Sequence, residues 1–357
     1  MEDYERAYIG KRVLITGGLG FIGSNLAIRL VNIGALVTVV DSLIPEYGGN
    51  LYNIAPVRDR VEVNIADVRD VSSMNYLVRC RDYIFNLAGQ VSHLDSMIDP
   101  YTDLEINCRA QLSFLEACRH NNPDVKVIFA STRQIYGVPD YLPVDERHLL
   151  HPTDVNGINK MAGEWYHILY NNVYGVRTVS LRLTNTYGPR LLMKHYRQGF
   201  VAKFIRFAIE NRCIEIFGDG RQRRDFNYVD DAVDALLCAG ATDATNGQIY
   251  NLGSTPPYSL IEFVEILREV CGELGIERPS YRLVPFPPDQ KRIDIGDYFA
   301  DYSKIHKELG WEPKVDLREG LRRTVQYYLE HKEHYWEVEP VKVPCELVVG
   351  RSEGEEK

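Results

Sequence analysis

Thr16-Gly17-Gly18-Leu19-Gly20-Phe21-Ile22-Gly23 follows a short apolar run at 11–16 and opens a stretch with helical spacing over 21–33. Strand, glycine-rich turn and helix in that order predict the first crossover of a doubly wound parallel sheet. One glycine lets the chain turn tightly, another lets the backbone approach a pyrophosphate, and a third lets helix and strand pack closely. Gly17, Gly20 and Gly23 are the candidates for those parts. The helix start at Phe21 and Ile22 presents unpaired N–H groups, which favour phosphate. Asp41 lies eighteen residues beyond Gly23, at the end of the next strand. A carboxylate there accepts both hydroxyls of an adenosine ribose and repels a 2′-phosphate, so the expected cofactor is NAD rather than NADP.

Working outward, short apolar strands are predicted at 36–41, 61–65, 83–87, 125–130 and 176–183. Helices are expected between them near 72–79, 98–120 and 155–174. The alternation predicts an α/β fold, a Rossmann-type doubly wound parallel sheet over 1–184 with some crossover to the later part. From Asn185 the pattern becomes irregular, with Pro and aromatic residues between helices at 199–211, 230–240, 259–271 and 317–335. This second part, 185–336, reads as a smaller mixed α/β domain that binds substrate, and 337–357 reads as a polar tail. Asp230 and Asp231 are expected to cap the helix that follows them.

The 357 residues carry 45% hydrophobic and 25% charged side chains with a net charge of −9. That balance is ordinary for a globular chain and disfavours general affinity for nucleic acid or an anionic membrane. No apolar run approaches the roughly 20 residues a membrane-spanning helix needs, and the acidic N-terminus has no secretory pattern. Seven scattered cysteines without a C-x-x-C pair fit reduced thiols in the cytoplasm better than disulfides or zinc. His93, His148, His151, His167 and His195 have no regular ligand spacing, so no metal is expected. His93 is set apart because it follows the fourth strand.

Further segments match a known pattern in order. They are Ala66-Asp67-Val68-Arg69-Asp70, Asn86-Leu87-Ala88-Gly89, Asn107, Arg182-Leu183-Thr184-Asn185-Thr186-Tyr187-Gly188-Pro189-Arg190 and the run from Gly218 to Asp231. With the glycine turn and Asp41 they resemble the extended short-chain dehydrogenase/reductase family over about residues 10–335. The resemblance implies that Asp67 and Val68 meet the adenine and that Leu87 and Ala88 line the middle of the cofactor. It implies a nucleoside-diphosphate sugar as substrate, with Gln90, Asn185 and Arg224 as contacts. Arg292, shifted by about one position, is the candidate for a second phosphate contact. The helices near 98–120 and 155–174 resemble those of a two-fold four-helix interface, which implies a homodimer.

In that family a Ser or Thr, a Tyr and a Lys act together. Thr132 and Lys160 match two of them, but Asn156 stands at the Tyr position, and an amide cannot act as a base. Acidic residues that dehydratases carry after the Thr are replaced by Arg133 and Gln134, so a 4,6-dehydratase is not expected. The segment 86–137 resembles UDP-glucose 4-epimerase-like members. The expectation is NAD-dependent epimerisation through a transient keto sugar. Three explanations of Asn156 stay open. Tyr136, His93, Tyr187 or a water held by Asn156 and Lys160 takes over the proton; or the reaction differs, as in decarboxylation of a nucleotide uronic acid; or the chain is a catalytically silent binding partner.

Overall fold

The computed structural model of the chain describes residues 2–194 and 199–336. His195, Cys345 and the tail expected at 337–357 lie outside the described residues. Seven short strands form the main sheet. They are β1 (Arg12–Thr16), β2 (Leu36–Asp41), β3 (Val61–Ile65), β4 (Tyr83–Asn86), β5 (Lys126–Thr132), β6 (Arg177–Leu183) and β7 (Ile249–Asn251). Their order is β3-β2-β1-β4-β5-β6-β7 and every pairing is parallel. β1, β2, β4 and β5 are almost wholly buried, as a sheet covered by helices on both faces demands. The strand order reverses between β1 and β4, where Thr16 stands opposite Val40 on one side and Asn86 on the other. Ligands in such sheets bind beyond the carboxyl ends of the strands at that reversal.

Helices α1 (Phe21–Asn32) and α2 (Val71–Leu77) follow their strands as expected. The single helix expected over 98–120 is instead divided into α3 (His93–Ile98), α4 (Pro100–Leu104), a π-turn at Glu105–Arg109 and α5 (Ala110–Asn121). Pro100 lacks an N–H and cannot continue α3, while Asp99 caps the restart by accepting from the Thr102 N–H at 3.1 Å. The π-turn lies where α6 (Val155–Tyr174) passes closest. A Cβ on Gly163 of α6 would stand 2.8 Å from the Asn107 carbonyl oxygen.

The second half of the chain does not stay apart. After α7 (Phe200–Ile209), helix α8 (Val229–Gly240) and strand β7 return to the main sheet. Val233, Leu236 and Tyr250 pack in one core with Val13, Ile15 and Leu26. A second core gathers Phe204, Ile205 and Phe226 with Phe263 of α9 (Leu260–Glu273) and with Leu321 and Tyr328 of the helix Leu317–His331. Asp230 and Asp231 do not cap α8. The helix begins one residue earlier than expected, at Val229, with Tyr228 as its uncapped start. Asp231 then accepts from the N–H groups of Lys314 and Val315 at 3.0 and 3.1 Å, tying a distant segment to the helix. Among the described residues no helix is long and apolar enough to cross a membrane, and no cluster of His, Cys, Asp or Glu could hold a metal ion.

Candidate functional site

A cavity of about 470 Å³ opens over the reversal point, bordered by the glycine turn, the ends of β2, β4 and β5, the first turns of α6 and the start of the second half. Its geometry at the turn admits only glycine. Gly17 has φ +67°, and a Cβ there would meet the Ala88 backbone at 3.1 Å; a Cβ on Gly23 would meet Gly18 Cα at 2.9 Å. Thr16 ties the turn to the next wall. Its Oγ1 accepts from the N–H groups of Leu87 and Ala88 at 3.0 and 3.1 Å and donates to Asn86 Oδ1 at 2.9 Å.

Asp41 borders the far end of the cavity. Its oxygens accept from the Leu19 and Leu43 N–H groups at 3.0 and 2.8 Å, which leaves lone pairs on both. Burial raises its pKa, and those N–H groups oppose the rise. Asp67 and Val68 border the same end. The Asp67 carboxylate is paired with the Arg69 guanidinium at 2.6 Å, which holds its pKa below the usual range.

Lys160 enters the other end from α6. Its Nζ donates to the Ala130 carbonyl at 3.3 Å, and Gly89 makes room for it, since a Cβ there would lie 2.8 Å from Nζ. Burial pushes the ammonium down to about 8, against the pull of Asp103. Thr132 closes β5 beside it and accepts from the Gln134 N–H at 3.2 Å, so the hydroxyl proton stays available for a ligand. The Ser131 hydroxyl, also at the cavity, is buried with no partner.

Asn156 borders the cavity but its amide is committed elsewhere. Nδ2 donates to Asp103 Oδ2 at 2.9 Å and to the Gln90 carbonyl at 2.8 Å. Asp103 is fully buried and also accepts from Asn107 at 3.0 Å and Asn159 at 2.8 Å. Sequence reasoning missed Asp103. The signal was present, because Asp103, Asn107 and Gln111 recur every four residues and form a buried polar stripe. It faces a second stripe on α6 that includes Asn156, Asn159, Lys160 and His167. Burial of His167 lowers its pKa to about 4, so it sits in this network as the neutral ring.

His93 also borders the cavity. Its Nδ1 is shut off from solvent and lies 3.0 Å from Asp154 Oδ2, off the line of a well-directed hydrogen bond. The imidazole keeps 36% of its surface exposed. Asp154 caps α6 through the Gly157 N–H at 2.7 Å and accepts from Gln134 at 2.8 Å. Burial raises its pKa, but His93, Gly157 and Gln134 together outweigh burial and leave it lowered. Asp154, too, was missed from the sequence, although an Asp immediately before an amphipathic helix is a recognisable cap.

The second half brings Asn185 and Arg224 to the cavity. Asn185 donates to the Asp225 carbonyl at 3.0 Å, and Arg224 keeps its buried Nε without a partner. Four expected residues do not reach the cavity. Tyr136 is fully buried behind β5, donating to Asn251 at 2.7 Å and accepting from Arg182 at 2.5 Å, and burial pushes its phenol up to about 12. Tyr187 is buried in the second core, where burial also holds its phenol protonated. Gln90 lies beneath the cavity, donating to the Ser92 carbonyl at 3.0 Å. The Arg292 side chain is 81% exposed and its nearest acid is Asp289 at 3.9 Å.

The pattern of the NAD dependent epimerase/dehydratase family matches residues 13–253. A putative UDP-glucose 4-epimerase of Methanocaldococcus jannaschii is 34% identical over 316 residues, covering 88% of this chain and 97% of that one. The UDP-glucuronic acid decarboxylase 1 of Xenopus tropicalis is 30% identical, covering 91% of this chain and 73% of that one. The solved structure of a UDP-glucose 4-epimerase of Thermotoga maritima with UDP-glucose superposes with a TM-score of 0.80 at 32% identity, covering 89% of this chain and 99% of that one.

Proposed function

The chain belongs to the NAD-dependent epimerase/dehydratase family, and from that premise we propose that it epimerises a nucleoside-diphosphate sugar through a transient keto sugar. The cradle fits NAD on its own geometry. The glycine turn leaves no room for a Cβ, and Asp41 keeps lone pairs for ribose hydroxyls. Bound there, NAD supplies a hydride acceptor and donor beside the sugar. Lys160 holds the ribose next to the reacting ring, and Thr132 donates its hydroxyl proton to the sugar oxygen. Asn185 and Arg224 grip the diphosphate, for which a guanidinium fork is well shaped.

The observation that carries this reading is the convergence of Gly17, Asp41, Lys160, Thr132, Asn185 and Arg224 on one cavity. Of the three side chains weighed for the missing phenol's part, His93 borders that cavity and Tyr136 and Tyr187 do not. We therefore give the proton transfer to His93, oriented by Asp154 as a base is oriented by a third group. Decarboxylation of a nucleotide uronic acid is the second reading, favoured by the likeness to the Xenopus tropicalis decarboxylase.

A homodimer fits the same reading. Ile98, Tyr101, Trp165, Leu169 and Val173 of α3, α4 and α6 are exposed apolar side chains on helices that pack together. NMR of products after incubation with UDP-, GDP-, CDP- and dTDP-sugars tests the function. An inverted ring carbon is the expected result. Released carbon dioxide would support the second reading, and no product from any sugar would support a silent binding partner.

A further inference from the structure

Arg133 follows Thr132 directly and borders the same cavity. The residue as a whole is half-buried, yet its Nη1 is closed to solvent and has no hydrogen-bond partner. Its Nη2 reaches Asn185 Oδ1 only at 3.5 Å, and the guanidinium lies 5.1 Å from the face of Tyr298. A buried cation is ordinarily paired. Arg182 has Glu164 at 2.5 Å, and Arg224 has Asp294 at 3.6 Å. Among the described residues no carboxylate forms an ion pair with Arg133. Asp225, Asp154 and Asp294 act on it only from a distance; burial raises the Asp225 carboxyl to about 7, and its Oδ1 is also without a partner. Arg224 adds a second positive charge to the same region. Arg133 Nη1 and Arg224 Nε are thus two unused, solvent-shielded donors on residues that border one cavity.

Resting on the function proposed above, we propose that Arg133 selects a sugar that is itself anionic, a nucleoside-diphosphate uronic acid whose ring carboxylate takes the free N–H groups of this guanidinium. Arg224 and Asn185 then serve the diphosphate. Arg133, chained to Thr132 at the end of β5, serves the ring end, where the reacting carbon lies. A neutral hexose leaves the buried guanidinium unpaired and is discriminated against for that reason.

Calorimetric titration of the NAD-loaded protein with UDP, UDP-glucose, UDP-glucuronic acid and UDP-galacturonic acid tests this. The wild type is expected to bind at least one uronate roughly 10- to 100-fold more tightly than UDP-glucose. Arg133→Gln should erase that preference and weaken UDP far less than the uronate, with Arg133→Lys in between. Equal affinity for UDP-glucose and both uronates would overturn the proposal. So would an Arg133→Gln variant that loses UDP and uronate affinity alike, since the guanidinium would then serve the diphosphate. Unchanged melting temperature in both variants excludes misfolding as the cause. Failure of the wild type to bind any of the four probes would overturn the anionic-sugar proposal for a uridine nucleotide, and the reading beneath it falls only if the GDP-, CDP- and dTDP-sugars fail to bind as well. Tight, equal binding of UDP-glucose would sink only the former.

Discussion

The side-chain amide of Asn156 donates to the buried carboxylate of Asp103 across 2.9 Å. Asp103 takes three amide donors in all, from Asn107, Asn156 and Asn159, and its charge favours the protonated form of Lys160 nearby. A buried carboxylate needs such donors, because its desolvation is costly when they are missing. Asn156 is therefore part of a built polar network and not merely a phenol that has been lost.

Asn156→Tyr should for that reason impair the protein. A phenol is much larger than the amide it replaces at a site only 2% exposed, and Asp103 loses one donor. The expected cost is about 1–3 kcal/mol of stability, seen as a lower melting temperature, with no gain in turnover. A variant that melts as wild type and turns over faster would show instead that the site is an ordinary family site lacking its base.

Lys160 gives a pH dependence with a definite sign. Its ammonium falls from 10.5 to about 8 on folding because of burial. Between those values the unfolded chain binds more protons than the folded one, so stability rises with pH across the window. In cofactor-free protein, the wild-type unfolding free energy minus that of Lys160→Met should climb from about pH 8 to 10.5, by at most about 1.4 kcal/mol per unit. Lys126, whose burial likewise lowers it to about 8, cancels in the difference. A difference flat with pH would contradict the assignment.

Much of this was legible in the chain because it rests on local pattern. β2, β3 and α6 fall where apolar runs and helical spacing put them, and the glycine turn and Asp41 follow from the physics of a tight strand-to-helix crossover. What was not legible depends on which faces meet. The π-turn at Glu105–Arg109 depends on packing against α6, whereas the break at Pro100 was marked locally by the proline and its Asp99 cap and was overlooked. Tyr136 and Tyr187 look equivalent to His93 as proton carriers in one dimension. Only the sheet decides that both phenols face inward and the imidazole borders the cavity. Arg292 matched a pattern by position, but its helix turn directs it to solvent.

The exposed apolar face predicts association. Ile98 and Tyr101 are 80% and 77% exposed, and Trp165 is 53% exposed on the neighbouring helix. Sedimentation at micromolar concentration should give the mass of a dimer, and the double variant Tyr101→Glu, Trp165→Glu should give that of a monomer with native circular dichroism. Both side chains are exposed in one copy, so the fold should tolerate the change. A wild-type monomer at that concentration would refute the dimer.

His93 yields the most direct test of how the proton moves. Nδ1 lies 3.0 Å from Asp154 and the ring borders the cavity, and the reading proposed above has its other nitrogen exchange a proton with a sugar hydroxyl there. Loss of a positioned acid–base group typically costs about 10²- to 10⁴-fold in rate. His93→Gln should lose turnover to that extent while retaining NAD, measured as dinucleotide released on denaturation. His93→Gly should regain part of the activity when free imidazole is added. Asp154→Asn separates orientation from capping, because Asn also caps a helix well. That variant should keep its melting temperature within a few degrees and still turn over more slowly. If His93→Gln works at the wild-type rate, the proton travels by another route. A water between Asn156 and Lys160 would then be the group to pursue, with Asp103→Asn as the variant that disturbs it.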